Sequence, residues 1–356
     1  MNIRTQKLLE RMQQIGVDAM LVASYENRRY LSYFSGSNAT LFVHPQRQVL
    51  LTDFRYKEQA GKEAVDYEVI MYDQFSSVFD QIQTLVEQTG AKTIGFESDK
   101  MTVNWLQGAQ KKLPQVEFVP MPNEIDALRA YKDADEVAII QRAQDITDAS
   151  FAHILTVLKP GMTELDVMAE LCYAMAVRGG KTSFGCIAAS GPNSSMPHAQ
   201  PTMRKLQNGD FLTMDFGCKI EGYCSDMTRT VAIGQPSDEM KEIYQIVLDA
   251  QQRALDKIAP GMVCNDVDFA ARGYIAEKGY GEYFGHGLGH SLGLAIHEEP
   301  RFTQHCTEVL KPGVCISVEP GIYLPGKFGV RIEDIVCITE DGFHNFTHSP
   351  KELIIL

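Results

Sequence analysis

The chain contains no Cys-x-x-Cys pair, no apolar run near the roughly 20 residues of a membrane-spanning helix, and no surplus of positive charge. Each absence removes a class of function. Its eight cysteines stand singly, several inside apolar runs such as Val314-Cys315-Ile316 and Val336-Cys337-Ile338. They read as buried free thiols in a reducing compartment, not as a disulfide framework. Lys and Arg number 33 against 46 Asp and Glu, a formal charge of −13. That balance argues against nucleic acid or an anionic membrane as the main partner. The opening segment, MNIRTQKLLERMQQIG, carries an amphipathic helix pattern instead of a signal peptide, so the expected address is the cytoplasm.

What is present is ordinary globular composition, 44% hydrophobic and 22% charged over 356 residues, enough chain for two or three domains. The first part alternates β and α. A helix over Arg4–Gln14 precedes a strand at Ala19–Ala23, then a hairpin turning at His44-Pro45-Gln46. Strands follow at Glu68–Tyr72, Thr93–Phe96 and Glu117–Pro120, with helices near Val78–Gln88 and Asn104–Lys112 between them. No catalytic constellation appears there. Pro120-Met121-Pro122-Asn123 reads as a seam, which predicts domains over 1–124 and 125–356.

The second part repeats itself. Aligned at a constant offset of 100, Leu155–Gly185 and Leu255–Gly285 share ten of 31 positions without a gap. The matches include Pro160/Pro260, Gly161/Gly261, Asp166/Asp266, Gly179/Gly279 and Phe184/Phe284. The repeat continues more loosely, with an apolar strand ending in a carboxylate six residues after a glycine: Gly209 to Asp215, and Gly313 to Glu319. Two similar halves that each deliver acids to a strand end predict a site at their shared interface.

Residues 212–233 read as a hairpin turning about Ile220–Glu221, which would set Asp215 opposite Asp226 with Cβ atoms about 4.5–5.5 Å apart. Directly opposed like charges destabilise a sheet, so a bare structural role is disfavoured and a shared proton or a bound cation remains. Glu319 and Glu333 are likewise equidistant from Gly326. Asp334 adjoins Glu333 but faces the other way in a strand, and reads as solvent-facing or structural. Between the acid pairs lies Phe284-Gly285-His286-Gly287-Leu288-Gly289-His290, whose glycines disfavour a helical zinc site and let the backbone approach closely. One of His286 and His290 is expected at the acids. About four negative charges would be balanced by two divalent ions, and oxygen donors with one imidazole suit Mn²⁺ or Co²⁺. Two such ions about 3.5–4 Å apart would bridge a hydroxide and polarise a carbonyl, which is metal-assisted hydrolysis of an unspecified substrate.

The segments MDFG, YCSDMTRT, FGHGLGHSLGL, VEPGIYLPG and VRIED resemble the signature blocks of the pita-bread metallopeptidases, the Xaa-Pro dipeptidases (prolidases) and aminopeptidase P. The likeness spans almost the whole chain, since TDFRY fits a creatinase-like N-terminal domain. It implies an α+β fold, a pita-bread catalytic domain with an internal pseudo-twofold behind a smaller α/β domain. It also implies two divalent ions per chain, manganese first, with cobalt or zinc as alternatives. By the resemblance Asp215 binds one ion, Asp226 and Glu333 bridge both, and His290 and Glu319 complete the other. Glu319 is also the implied proton acceptor, and His198 and His297 would bond the scissile carbonyl or the tetrahedral intermediate. His286 would line the substrate pocket, Arg331 would stand behind the bridging glutamate, and Arg301 would meet the carboxylate of a trailing proline. The expected substrate is a small Xaa-Pro peptide and the expected assembly a homodimer.

Cys218 after the DFG run, and Ala199-Gln200-Pro201 after His198, depart from the family pattern without touching a ligand position. Cleavage of Xaa-Pro dipeptides is the first expectation and release of the N-terminal residue from longer peptides the alternative. A metal-free binding module or creatinase would lose the ligands, and all five are present here.

Overall fold

The structure, a computed structural model, describes residues 1–356. Its chain divides into two units, Met1–Arg129 and Ala130–Leu356. The boundary falls beyond the proline-rich seam because a short helix, Glu124–Arg129, packs on the first unit. Its Ile125 is buried, and its Arg129 donates to Asn27 Oδ1 at 2.5 Å.

In the first unit β1 (Ala19–Val22), β2 (Thr40–His44), β3 (Arg47–Asp53), β4 (Glu68–Tyr72), β5 (Thr93–Phe96) and β6 (Glu117–Pro120) form one sheet of order β4-β3-β2-β1-β5-β6. The β2–β3 connection is a two-residue turn, His44 pairing with Arg47, so it is tighter than the three-residue turn expected from sequence. Helices α1 (Ile3–Ile15), α2 (Tyr25–Ser32), α3 (Lys57–Glu63), α4 (Val78–Thr89), α5 (Val103–Lys112) and α6 (Glu124–Arg129) complete it. Leu21, Phe42, Leu51, Ile82, Leu85 and Ile94 belong to its apolar core. The α2 and α3 segments were invisible to periodicity. Buried Asn27, Arg28 and Ser32 put polar residues on the inner face of α2, held by side-chain bonds such as Asn27 to Glu97.

The second unit is built twice. Helices α7 (Ala134–Val157) and α8 (Glu164–Ala176) lead into β7 (Lys181–Thr182), β8 (Ile187–Ser190), β9 (Asp210–Phe216), β10 (Cys218–Ile220), β11 (Tyr223–Cys224) and β12 (Met227–Ile233). Helices α9 (Asp238–Lys257) and α10 (Cys264–Glu277) then lead into β13 (Gly289–Ser291), β14 (Glu298–Phe302), β15 (Cys315–Val318), β16 (Gly321–Leu324), β17 (Phe328–Arg331), β18 (Asp334–Ile338) and β19 (Phe343–Asn345). The repeat extends to backbone detail. Gly161 and Gly261 have φ of 91° and 89°, and their N–H groups donate to Leu206 and Leu310 carbonyls. Each half keeps its own apolar core, Phe151, Val167, Leu212 and Val231 in one and Ile243, Val267, Ile316 and Val336 in the other. The sheets run β12-β9-β8 and β14-β13-β15-β18-β19, and β16 pairs with β17. No helix is long and apolar enough to cross a membrane.

Candidate metal centre

The first acid-bearing hairpin corrects the sequence reading. Its turn is Glu221-Gly222, with φ of 48° and 88°, because a tight two-residue connection of this hand needs positive φ at both central positions. Ile220 therefore pairs with Tyr223, and Asp215 pairs with Thr228 instead of Asp226. Asp226 lies in the break between β11 and β12, and its side chain still reaches the cavity that Asp215 lines.

The second hairpin holds the register centred on Gly326. Gly321 pairs with Arg331 and, beyond an interruption, Val318 pairs with Asp334. Glu319 and Glu333 lie within that interruption, where their N–H groups donate to the Leu288 and Thr228 carbonyls. Asp334 is not solvent-facing: it is fully buried and ion-paired to Arg229 at 2.8 Å and Lys351 at 2.9 Å. Neighbouring carboxylates thus meet opposite surroundings, because successive strand residues point to opposite faces.

Of the two histidines in the glycine-rich segment, His290 is the one at the acids. Gly289 permits it, since a Cβ there would sit 2.0 Å from the Ser317 carbonyl oxygen. The His290 Nδ1 lies 3.2 Å from the Ser291 carbonyl, which can only accept, so Nδ1 carries the proton and Nε2 offers its lone pair inward. That Nε2 is 3.4 Å from Glu319 Oε1 and 3.7 Å from Asp226 Oδ2. The ligating atoms of Asp226, His290 and Glu333 all lie within 4.8 Å of one another.

One oxygen of several carboxylates is already engaged. Arg331 donates to Asp215 Oδ2 at 2.7 Å, Thr228 to Glu333 Oε2 at 2.7 Å, and Ser317 to Glu319 Oε1 at 3.0 Å. The remaining oxygens of Asp215 and Glu333, and Oδ1 of Asp226, are buried without a hydrogen-bond partner. Burial raises the pKa of Asp226 and Glu333 far above the carboxylate range, and the neighbouring acids raise it further. Burial likewise lifts Glu319 to about 7, against the attraction of Arg331. Bare buried oxygens around an inward-facing imidazole fit divalent cations, and no other cationic side chain is placed to satisfy them.

Between pH about 4.5 and about 7 the unfolded chain gives up a proton that folded Glu319 retains. Stability from this group is therefore lost as pH rises through that window. Calorimetry in chelator should show the melting temperature falling across it relative to the same protein with Mn²⁺. An identical pH dependence with and without Mn²⁺ would contradict the raised pKa of buried Glu319.

The same cavity, about 450 Å³, is lined by Asp215, Asp226, His290, Glu319 and Glu333 and also by His198, His286, His297, Arg301 and Arg331. His297 packs edge-on against His290, ring centroids 4.4 Å apart. Arg301 engages Glu299 through Nε at 3.0 Å. His286 lies deeper, its pKa lowered to about 4 by burial and then by Arg331. Its Nδ1 donates to the Gly287 carbonyl at 2.7 Å, so Nε2 accepts from the Tyr323 hydroxyl at 2.9 Å. Tyr323 in turn accepts from Arg331 at 2.8 Å. Tyr323, Thr228 and Ser317 escaped the sequence reading. The signal was there: Thr228 and Ser317 stand two residues from an acid and Tyr323 four, the spacing that shares one face of a strand.

Comparison with known proteins bears on this geometry. The model of metallopeptidase family M24 matches residues 138–340, and that of the creatinase/prolidase N-terminal domain matches residues 4–131. An Xaa-Pro dipeptidase of Pyrococcus horikoshii is 35% identical, over 99% of this chain and 99% of that protein. The solved Xaa-Pro dipeptidase from Bacillus anthracis is 42% identical with a TM-score of 0.96, covering 99% of each chain. The X-Pro aminopeptidase from Thermotoga maritima is 35% identical with a TM-score of 0.91, covering 97% of this chain and all of the other.

Proposed function

The chain belongs to metallopeptidase family M24, with a creatinase/prolidase N-terminal domain ahead of its pita-bread catalytic part, and on that footing we propose that it is a two-metal Xaa-Pro dipeptidase. Asp215 would hold one ion, Asp226 and Glu333 both, and His290 and Glu319 the other. When bound, the ions would supply an acidified water and a Lewis acid for the scissile carbonyl. Manganese is the expected native ion, since the donors are oxygens with a single imidazole.

The remaining steps belong to side chains. Glu319, which lines the cavity beside His290, would take the proton of the attacking water and pass it to the departing proline nitrogen. His198 and His297 line the cavity from the two halves of the repeat and would donate N–H bonds to the oxyanion as it develops. His286 is neutral with both ring nitrogens committed, so it would shape the pocket without exchanging protons.

One observation carries the dipeptide reading. Arg301 lines the metal cavity with only Nε engaged, which leaves its terminal nitrogens for the carboxylate of a two-residue substrate. The contact should be worth roughly 1.5–3 kcal/mol, about 10- to 150-fold in kcat/KM. Arg301→Ala should lose that much on a free Xaa-Pro dipeptide and far less on its C-terminal amide. Equal losses, or none, would favour release of the N-terminal residue from longer Xaa-Pro peptides. That second reading draws on the Thermotoga relative and on the Arg301–Glu299 pair at the surface.

A further inference from the structure

Glu164 opens α8 and is completely buried, yet it does not line the cavity. Its carboxylate is the meeting point of one segment's two ends. Oε1 accepts from the Ser190 N–H at 2.7 Å and the Ser190 hydroxyl at 2.8 Å. Oε2 accepts from the Thr202 N–H at 2.9 Å and the Thr202 hydroxyl at 2.6 Å. The Asn193 amide straddles both oxygens at 3.0 and 3.1 Å. Burial pushes this carboxyl up, but the donors outweigh it and hold the group below its usual range. At neutral pH it is an anion whose acceptor sites are filled from Ser190, Asn193 and Thr202.

The segment so clasped, Ser190–Thr202, carries Pro197-His198 at its middle. His198 is exposed at the cavity wall, so the backbone of this segment sets where its ring stands. The middle is tied separately to the metal side, Arg331 donating to the Pro197 carbonyl at 3.3 Å and the Gly329 N–H to the Ser194 hydroxyl at 2.9 Å. Arg204 braces the clasp from behind, donating to the Ser190 hydroxyl at 2.6 Å while forked on Asp210.

The internal repeat shows that the fold itself does not require this acid. Position 264 is the equivalent residue. The Cys264 N–H donates to the Glu308 carbonyl at 2.9 Å, as the Glu164 N–H does to the Arg204 carbonyl at 3.0 Å. The second half thus builds the same helix entry with a thiol in place of the carboxylate.

We infer that Glu164 is a positioning residue for the reaction, a clasp that fixes the Ser190–Thr202 segment so that His198 stands in register with the metal ligands. The inference rests on the oxyanion role proposed for His198.

A double-variant cycle on the full-length, Mn²⁺-loaded protein tests it. Glu164→Gln keeps the shape but turns an amide NH₂ towards the donors. It should lose up to about 10²-fold in kcat, the scale of an ångström's misplacement, with metal content and KM little changed. Thr202→Val removes one hydroxyl only and should lose less, which secures the test if Glu164→Gln folds poorly. Combined with His198→Ala, each substitution should add no further loss of kcat, because both act through the same ring. Losses that multiply, or loss of bound Mn²⁺ in proportion to loss of rate, would overturn the clasp and leave Glu164 as scaffold. A His198→Ala protein with undiminished kcat would overturn the oxyanion role itself, a separate result read from that single variant.

Discussion

Asp226→Ala and Glu333→Ala are expected to yield folded proteins that fail to hold two divalent ions and show no measurable turnover of Xaa-Pro dipeptides. Both residues are buried, and each presents a partnerless oxygen to the centre of the cavity beside His290. Because each is proposed to serve both ions, neither ion keeps its donor set when one is lost. The same substitutions should raise the melting temperature of the chelator-treated protein, since each removes an acid whose charged form burial, and then its neighbours, disfavour. Elemental analysis after Mn²⁺ loading and dialysis, paired with calorimetry, gives both readings. Two retained ions in either variant would refute the bridging assignment. A lowered melting temperature without metal would refute the electrostatic one.

His198→Ala and His297→Ala should behave in the opposite way, keeping both ions while losing about 10²–10³-fold in kcat, the scale for deleting one donor to an oxyanion. Burial lowers the pKa of His297 to about 4, with His290 and Arg301 reinforcing the shift. Near pH 7 it would therefore act as a neutral N–H donor, and the His297-dependent part of kcat should be flat between pH about 6 and about 8. Retention of metal separates these residues from the ligands. If His198→Ala emptied the site, the division between metal-holding and oxyanion-binding groups would be wrong.

The sequence disclosed the fold best where pattern and packing agree. The strands Glu68–Tyr72, Thr93–Phe96 and Glu117–Pro120 were legible to the residue because apolar runs there end in turn formers. The repeat was legible because both halves reuse Pro-Gly turns and the same helix faces. Legibility ended where one local choice had two solutions. Ile220–Glu221 and Glu221–Gly222 both look like hairpin centres, and only the left-handed conformation at Glu221 and Gly222 decides between them. The facing of Asp215 and Asp226 was lost with that choice, although both reach one cavity. For Asp334 the sequence left a solvent-facing and a structural reading open, and the structural one holds; its partner Arg229 is more than a hundred residues away, and no local pattern reports such a pair. Tyr323 was missed for a different reason. A tyrosine at strand spacing reads as core until its hydroxyl is seen between Arg331 and His286.

The hairpin centred on Gly326 carries a constraint on how this protein can evolve. Glu333 must face the cavity while Asp334, one step along, must face Arg229 and Lys351. Inserting a single residue between Val330 and Glu333 would exchange the two faces and send the cavity-lining acid towards the cations and the ion-paired acid towards the cavity. The tip is exempt. Extra residues at Pro325–Lys327 leave the ladder from Gly321 to Arg331, and with it both glutamates, where they are. Length variation in this arm is therefore confined to its turn, which lies outside the cavity lining, while the arms that deliver its acids stay fixed in length.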